Sequence, residues 1–240
     1  MSLHKITSSR AHSVMLGLTA LATGVLIAAC GSSSSSSSSS SSTNTTSTTA
    51  TSGQPQSAAG RSNARSGPAA GGSIGGVSSV STSGFTLSTP TGGKVTIKET
   101  SSTKYEKGTT AASKSAVTKA ATVLVLGTDD NTTITATEVI VGPPKPNSKT
   151  ASQVVAFNGT GDKSKTVGQI PASYKQGSGT ILSGTTANKA TEAALLAYPG
   201  GVVDRVVQLS NGEYEVHNIG VNWPHHIFVN DSFNVVGAGD

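Results

Sequence analysis

A run of eleven serines, Ser32–Ser42, constrains this chain more than any other feature of its sequence. The run lies in a longer stretch, residues 31–73, that is rich in Ser, Thr and Gly and has almost no large apolar side chain. Such a stretch buries too little apolar surface to offset the entropy lost on ordering. Residues 30–73 are therefore predicted to be a long disordered leash, and folded structure is expected only after it.

The residues before the leash have the pattern of an export signal. Basic residues precede an apolar run, residues 14–29, which is shorter than the roughly 20 residues that a membrane-spanning helix needs. The run ends in Leu26-Ile27-Ala28-Ala29-Cys30, which resembles the lipobox of bacterial lipoproteins. This resemblance implies that residues 1–29 are a signal peptide and that Cys30, the only cysteine, is lipidated. The protein is then expected to be anchored by its lipid to the extracytoplasmic face of the cell membrane.

The charge and composition of the chain argue against a nucleic-acid partner. Of the 17 Lys and Arg residues, Lys5 and Arg10 lie in the predicted signal peptide, so the remainder exceeds the 12 Asp and Glu residues only slightly. Aromatic residues make up 4% of the chain, whereas nucleic-acid surfaces commonly interleave aromatics with a basic stripe. Several lysines are concentrated in residues 144–177, which are predicted to be a solvated linker.

Residues 74–143 are predicted to form a small antiparallel β-barrel. They contain short β-type runs separated by turn residues, with little helical periodicity. The runs are residues 76–80, 85–87, 94–97, 122–126 and 133–141. Three pieces, Gly76–Val80, Phe85–Leu87 and Thr133–Ala136, resemble a β-domain of unknown function that is common in exported bacterial proteins. That resemblance implies a fold and no activity.

Residues 178–240 are predicted to form one helix packed on an antiparallel meander. Thr185-Thr186 is expected to cap a helix over residues 187–198, and Ser210-Asn211-Gly212 is a strong hairpin signal. The helix has an apolar stripe, so it is expected to pack on the sheet in two layers. The expected strands cover residues 202–209, 213–219, 226–229 and 232–236. The whole chain is thus predicted to be mainly β with one α-helix.

Several segments of this C-terminal part, in this order, resemble the PepSY domain. They are Thr186–Ala190, Tyr198–Gly201, Asn211–Val216, Ile227–Asn230 and Phe233–Gly237. The resemblance implies a non-catalytic module that restrains peptidases near the cell surface. An exported peptidase or another envelope protein is therefore the expected partner.

The residues expected to contact that partner lie in two loops of the meander. The first loop is the hairpin at Asn211, and the second comprises Trp223, Pro224, His225 and His226. An exposed tryptophan is a frequent anchor of protein interfaces. A cap over the end of the sheet is the alternative interpretation of Trp223.

A metal site is a weaker hypothesis, and no cofactor is expected. His217 and His225 are predicted to face each other across a hairpin, with Glu215 on the same face as His217. Their spacing matches none of the familiar metal motifs, and half-buried strand histidines are the simpler interpretation. Catalytic motifs are also missing from the sequence, which has no Gly-x-Ser-x-Gly elbow and no phosphate-loop spacing. We therefore expect a binding protein rather than an enzyme, with a metal- or small-ligand-binding lipoprotein and a structural envelope protein as alternatives.

Overall fold

The structure, a computed structural model, describes residues 68–160 and 165–240. The predicted signal peptide, Cys30 and the predicted leash up to residue 67 lie outside the described residues. The described part is mainly β, as predicted, with the expected helix α2 (Gly184–Ala197) and a four-residue helix α1 (Ser148–Ala151) that was not predicted.

The strands before α1 are β1 (Ala69–Val80), β2 (Gly84–Ser88), β3 (Lys94–Lys98), β4 (Lys104–Lys107), β5 (Thr110–Ala111), β6 (Thr122–Asp130) and β7 (Thr133–Val141). Those after α1 are β8 (Val155–Ala156), β9 (Val167–Gly168), β10 (Thr180–Ile181), β11 (Val202–Gln208), β12 (Tyr214–Ile219), β13 (Val221–Trp223), β14 (His226–Val229) and β15 (Val235–Gly239).

The first half of the described chain forms the predicted small barrel. Strands pair in the order β1-β2-β3-β7-β6, and β6 pairs back with β1, so the five strands close on themselves. Side chains alternate inward and outward along each strand, as Val95 and Ile97 show on β3, where both are buried between exposed neighbours. One pair of the barrel, β3 with β7, is parallel, which the prediction of an antiparallel barrel did not include. Residues 99–132, which contain β4, β5, a 3-10 turn and β6, supply the long connection that a parallel pair needs.

Strand β1 begins at Ala69, inside the range predicted as leash. Its glycines do not make it a tether, because they allow neighbouring strands to pack closely against it. β1 pairs with β6 along most of its length and also meets β11 at Gly72 and Val203. A Cβ atom at Gly71 would overlap the carbonyl oxygen of Val203, and one at Gly72 would overlap that of Val125. Small residues at this point therefore allow two strands to approach β1 closely. Composition alone does not distinguish such a strand from a tether.

The second half of the described chain is an antiparallel sheet backed by α2, as predicted. Strands β11, β12, β14 and β15 pair in that order. The helix buries the predicted apolar stripe, Ala187, Ala190, Ala194, Leu195 and Tyr198, against one face of this sheet. The helix begins at Gly184, whose φ is +71°, and the preceding Ser183 makes no side-chain capping bond. The predicted cap at Thr185-Thr186 is therefore wrong, because the glycine turns the chain into the helix before the threonines.

The opposite face of this sheet is covered by residues 165–182, which we call the covering segment. Its β9 pairs with β15, at one edge of the sheet, and its β10 pairs with β11. Between these two points Tyr174 packs edge-on against Phe228, with ring centroids 4.8 Å apart. Most of the covering segment was predicted to be linker, and it instead closes the face on which the polar side chains of the sheet lie. Among residues 68–160 and 165–240, neither helix is long and apolar enough to cross a membrane.

Candidate functional site: a buried polar cluster and a cleft at the hairpin

Three strands bring polar side chains together beneath the covering segment. Arg205, His217 and His226 are in register across β11, β12 and β14. The register of β11 shifts between Val203 and Arg205, so Asp204 is an extra residue in that strand. Such a bulge allows consecutive residues to reach the same side of a sheet, and Asp204 accordingly contacts both Arg205 and His217.

Each of the two buried histidines is paired with a carboxylate. His217 Nδ1 lies 2.6 Å from Asp204 Oδ1, and His226 Nδ1 lies 2.8 Å from Glu215 Oε1. Arg205 lies between the carboxylates, with nitrogen–oxygen distances of 3.6 Å to Asp204 and 3.9 Å to Glu215. All five residues are buried, so their charges are compensated mainly by one another. The pairing favours a rigid structural network over groups that are free to act on a substrate.

Among the described residues, the second ring nitrogen of His217 lacks a hydrogen-bond partner. A carboxylate only accepts, so the Nδ1–H of His217 donates to Asp204. His217 Nε2 is buried without a partner among the described residues. In the neighbouring His225, the Nδ1 atom is hydrogen-bonded to the carbonyl oxygen of Asn218, at 3.2 Å.

Tyr174 closes the cluster from the covering segment. Its ring centroid lies 5.5 Å from that of His226, and the rings are inclined at 52°. Burial raises the pKa of the Tyr174 hydroxyl well above its ordinary value; the nearby charge of Glu215 raises it further, and that of Arg205 lowers it. The hydroxyl is therefore neutral at ordinary pH, and the half-buried side chain lies beside the charged pairs.

The three-ligand metal site imagined from the sequence is not assembled. The rings of His217 and His225 are near each other, with centroids 6.5 Å apart. The expected third ligand, Glu215, bonds His226 instead. Within residues 68–160 and 165–240, no group of three or more His, Cys, Asp or Glu side chains is placed to hold a metal ion.

The expected exposure of the Trp223 loop is wrong. Trp223 belongs to β13 and is 1% exposed, and its Nε1–H donates to the carbonyl oxygen of Lys165 at 2.7 Å. Its ring packs edge-on against Tyr198, with centroids 5.4 Å apart. Pro224 and His226 are also buried, and His225 is half-buried. The burial of Trp223 agrees with the alternative interpretation, a cap over the end of the sheet, and pairing of β13 with β8 holds this segment against the body of the protein.

The other predicted contact residue, Asn211, is exposed at the tip of a hairpin. The turn closes with Gly212 N–H donating to Leu209 O at 3.0 Å, so the predicted hairpin turn is confirmed. Gly212 has a φ of +87°, whereas Asn211 is not in the positive-φ region, so the glycine alone supplies the left-handed conformation. Asn211 Nδ2 donates to Glu213 Oε2 at 2.6 Å, which fixes the tip. The hairpin borders an open cleft of about 400 Å³, which we call the hairpin cleft. Its lining residues are Ser173, Lys175, Ser178, Gly179, Thr180, Gln208, Leu209 and Ser210.

Several residues of the cluster and the cleft were not predicted. Asp204-Arg205 interrupts an otherwise apolar run, Val202–Val207, and an opposite-charge pair within a strand is a signal of buried ion pairing. Tyr174 and Lys175 gave no such signal, because they lie in a segment whose composition is that of a linker. Only the long-range pairing of β9 and β10 brings them to the sheet.

Comparisons of the chain with protein-family models, with curated proteins and with solved structures find no match. The protein can therefore be classified only by its own fold and by the residues of its candidate site. It is a mainly β protein in which a five-stranded barrel continues, through β1, into a helix-backed sheet with a buried polar cluster.

Proposed function

We propose that this protein is a non-catalytic binding protein, held by a lipid at the extracytoplasmic face of the cell membrane, and that it restrains an exported peptidase. The hairpin Leu209–Glu213 and the hairpin cleft form its contact surface. The lipid anchor is supported by the resemblance of residues 26–30 to a lipobox. The target is supported by the resemblance of residues 178–240 to the PepSY domain.

One structural observation supports a binding role more than any other. The groups that could perform acid–base chemistry, Asp204, Glu215, His217 and His226, are buried and paired with one another. In contrast, the hairpin tip is exposed and borders a cleft that is open to solvent. A partner can therefore reach the hairpin without opening the fold, whereas a substrate would have to displace the covering segment to reach the histidines.

The proposal is tested by photo-crosslinking on intact cells with the native anchored protein. A photoreactive amino acid replaces Asn211 in one variant and Asp231 in the control variant. Both residues are exposed in hairpin turns of the same sheet, so the two probes differ in position and not in accessibility. We expect an exported peptidase to be crosslinked repeatedly from position 211 and not from position 231.

The captured peptidase is then assayed with the purified full chain. Restraint predicts that the wild-type chain slows cleavage, that Asn211→Ala weakens this effect, and that Asp231→Ala leaves it unchanged. Identical capture from both positions, or a captured peptidase that the chain does not slow, would refute the proposal. An inert protein with no specific neighbour would support a structural envelope role, and inhibition that disappears on chelation would revive metal binding.

Anchoring is tested separately with Cys30→Ser. We expect the wild-type protein to fractionate with membranes and the variant to lose that association. A variant that remains in the membrane fraction would show that something other than a lipid on Cys30 holds the protein there.

A further inference from the structure

The hairpin cleft has a polar lining with one charged member. Lys175 is exposed at the rim of the cleft, and no carboxylate is among the lining residues. Within the described residues, the amine of Lys175 makes no ion pair, as is true of every described lysine except Lys114. The cleft therefore presents an uncompensated positive charge to whatever enters it.

A second observation concerns Ser173, which also lines the cleft. The hydroxyl oxygen of Ser173 is buried and has no hydrogen-bond partner among the described residues. A buried polar atom without a partner in its own chain is commonly satisfied by water or by another group outside the chain. A hydroxyl can donate to an anionic oxygen, so Ser173 and Lys175 together suit a carboxylate.

The wall of the cleft is held in position by the backbone. Ser178 donates from both its amide and its hydroxyl to the carbonyl oxygen of Lys175, at 2.9 Å and 2.6 Å. Gly179 has a φ of +101°, and a Cβ atom at this position would come within 2.5 Å of Val207 Cγ1. The turn therefore lies tightly against β11, and Lys175 is presented from a defined loop.

An open strand edge lies beside the cleft. In the pairing of β10 with β11, Leu182 N–H donates to Val206 O at 2.8 Å. In an antiparallel ladder the hydrogen-bonded pairs alternate with non-bonded ones, so the N–H and C=O of Ile181 point away from β11. No strand pairs with that edge among the described residues, and the side chain of Ile181 is 51% exposed. An extended chain could pair there by adding a strand.

From these features we infer that the hairpin cleft receives a carboxylate from an extended acidic segment of the partner protein, which lies along the open edge of β10. This inference rests on the proposed function, because it names the part of the partner that the contact surface recognises. Lys175 supplies the charge, the hydroxyl of Ser173 donates to the carboxylate, and the backbone of Ile181 pairs with the segment.

The inference is tested by fluorescence anisotropy with the full chain purified in detergent. One labelled probe is an extended ten-residue peptide that alternates Glu with Val, and the matched probe has Gln in place of Glu. We expect the acidic peptide to bind at least about fivefold more tightly than its Gln counterpart, and Lys175→Ala to remove that preference. Ser173→Ala should weaken binding of the acidic peptide, and Lys175→Arg should retain it.

The control variant is Lys149→Ala, which removes an exposed lysine of α1 that does not line the cleft. Equal binding of the two peptides would overturn the inference, as would an equal loss in Lys149→Ala and Lys175→Ala. If Asn211 still crosslinks a peptidase that Lys175→Ala slows normally, the inference fails and the proposed function stands. If the acidic peptide binds as expected but no peptidase is captured, the proposed function fails instead.

Discussion

Replacing the only tryptophan, Trp223, with alanine is expected to destabilise the fold rather than merely weaken a contact with a partner. The side chain is 1% exposed, packs against Tyr198 and donates a hydrogen bond to Lys165 O. Truncating a buried aromatic side chain to alanine typically costs about 3–5 kcal/mol of unfolding free energy, from lost burial and the cavity left behind. For a domain of this size each kcal/mol lowers Tm by about 2–4 °C, so we expect a decrease of about 6–20 °C.

The assay compares thermal unfolding of Trp223→Ala with that of Phe157→Ala. Phe157 is an aromatic residue that is 56% exposed, so its truncation is expected to change the free energy of unfolding by less than about 0.5 kcal/mol. The wild-type protein gives a second measurement, because its fluorescence comes from one tryptophan. Burial predicts emission at short wavelength and weak quenching by acrylamide. Equal Tm values for the two variants, or emission typical of a solvated indole, would refute the packing described for Trp223.

Three further predictions concern ionisable groups. Asp204→Asn removes the charge that pairs with buried His217, so chemical denaturation should show a loss of about 3–5 kcal/mol, whereas the exposed Asp231→Asn should be nearly neutral. Burial, with the hydrogen bond and charge of Glu99, raises the pKa of Tyr105 from 10.0 to about 12. The contribution of Tyr105 to the free energy of unfolding should therefore be lost as pH rises between those values, and Tyr105→Phe should abolish that part of the pH dependence. Burial lowers the pKa of His225 below 6.5, so its contribution to the free energy of unfolding should be present above pH 6.5 and lost as pH falls. An NMR titration midpoint of His225 at or above 6.5 would contradict this.

The regular parts of the fold were predictable because local patterns specify them. The alternation on β3 and the apolar stripe of α2 reflect which side chains each element buries, and burial follows from the period of the element. The hairpin turn at residues 210–212 was predictable for a similar reason, since glycine adopts the positive φ of Gly212 at low cost. These features depend on neighbours in sequence.

The features that the sequence did not predict depend on contacts between distant residues. Gly71 and Gly72 are required because β11 and β6 approach β1, so a strand resembles a tether until its neighbours are known. Trp223 is a similar case, because its carbonyl acceptor belongs to Lys165, in a segment with the composition of a linker. A loop tryptophan has the same local sequence whether it contacts a partner or the interior of its own fold. Exposure could not be inferred from that local sequence.

The position of β1 has a consequence for how any partner should be sought. β1 belongs to the barrel through β2 and β6, and it also meets β11 of the helix-backed sheet. The helix α2 packs on that sheet and also against Ile74 and Leu124, two side chains of barrel strands. A fragment limited to residues 178–240 would lack those two side chains, and part of the apolar face of α2 would be exposed to solvent. Apolar surface uncovered in this way promotes non-specific association. Proteins captured by such a fragment would therefore be weak evidence about the hairpin, whereas the intact chain keeps that face covered and leaves the hairpin as the surface under test.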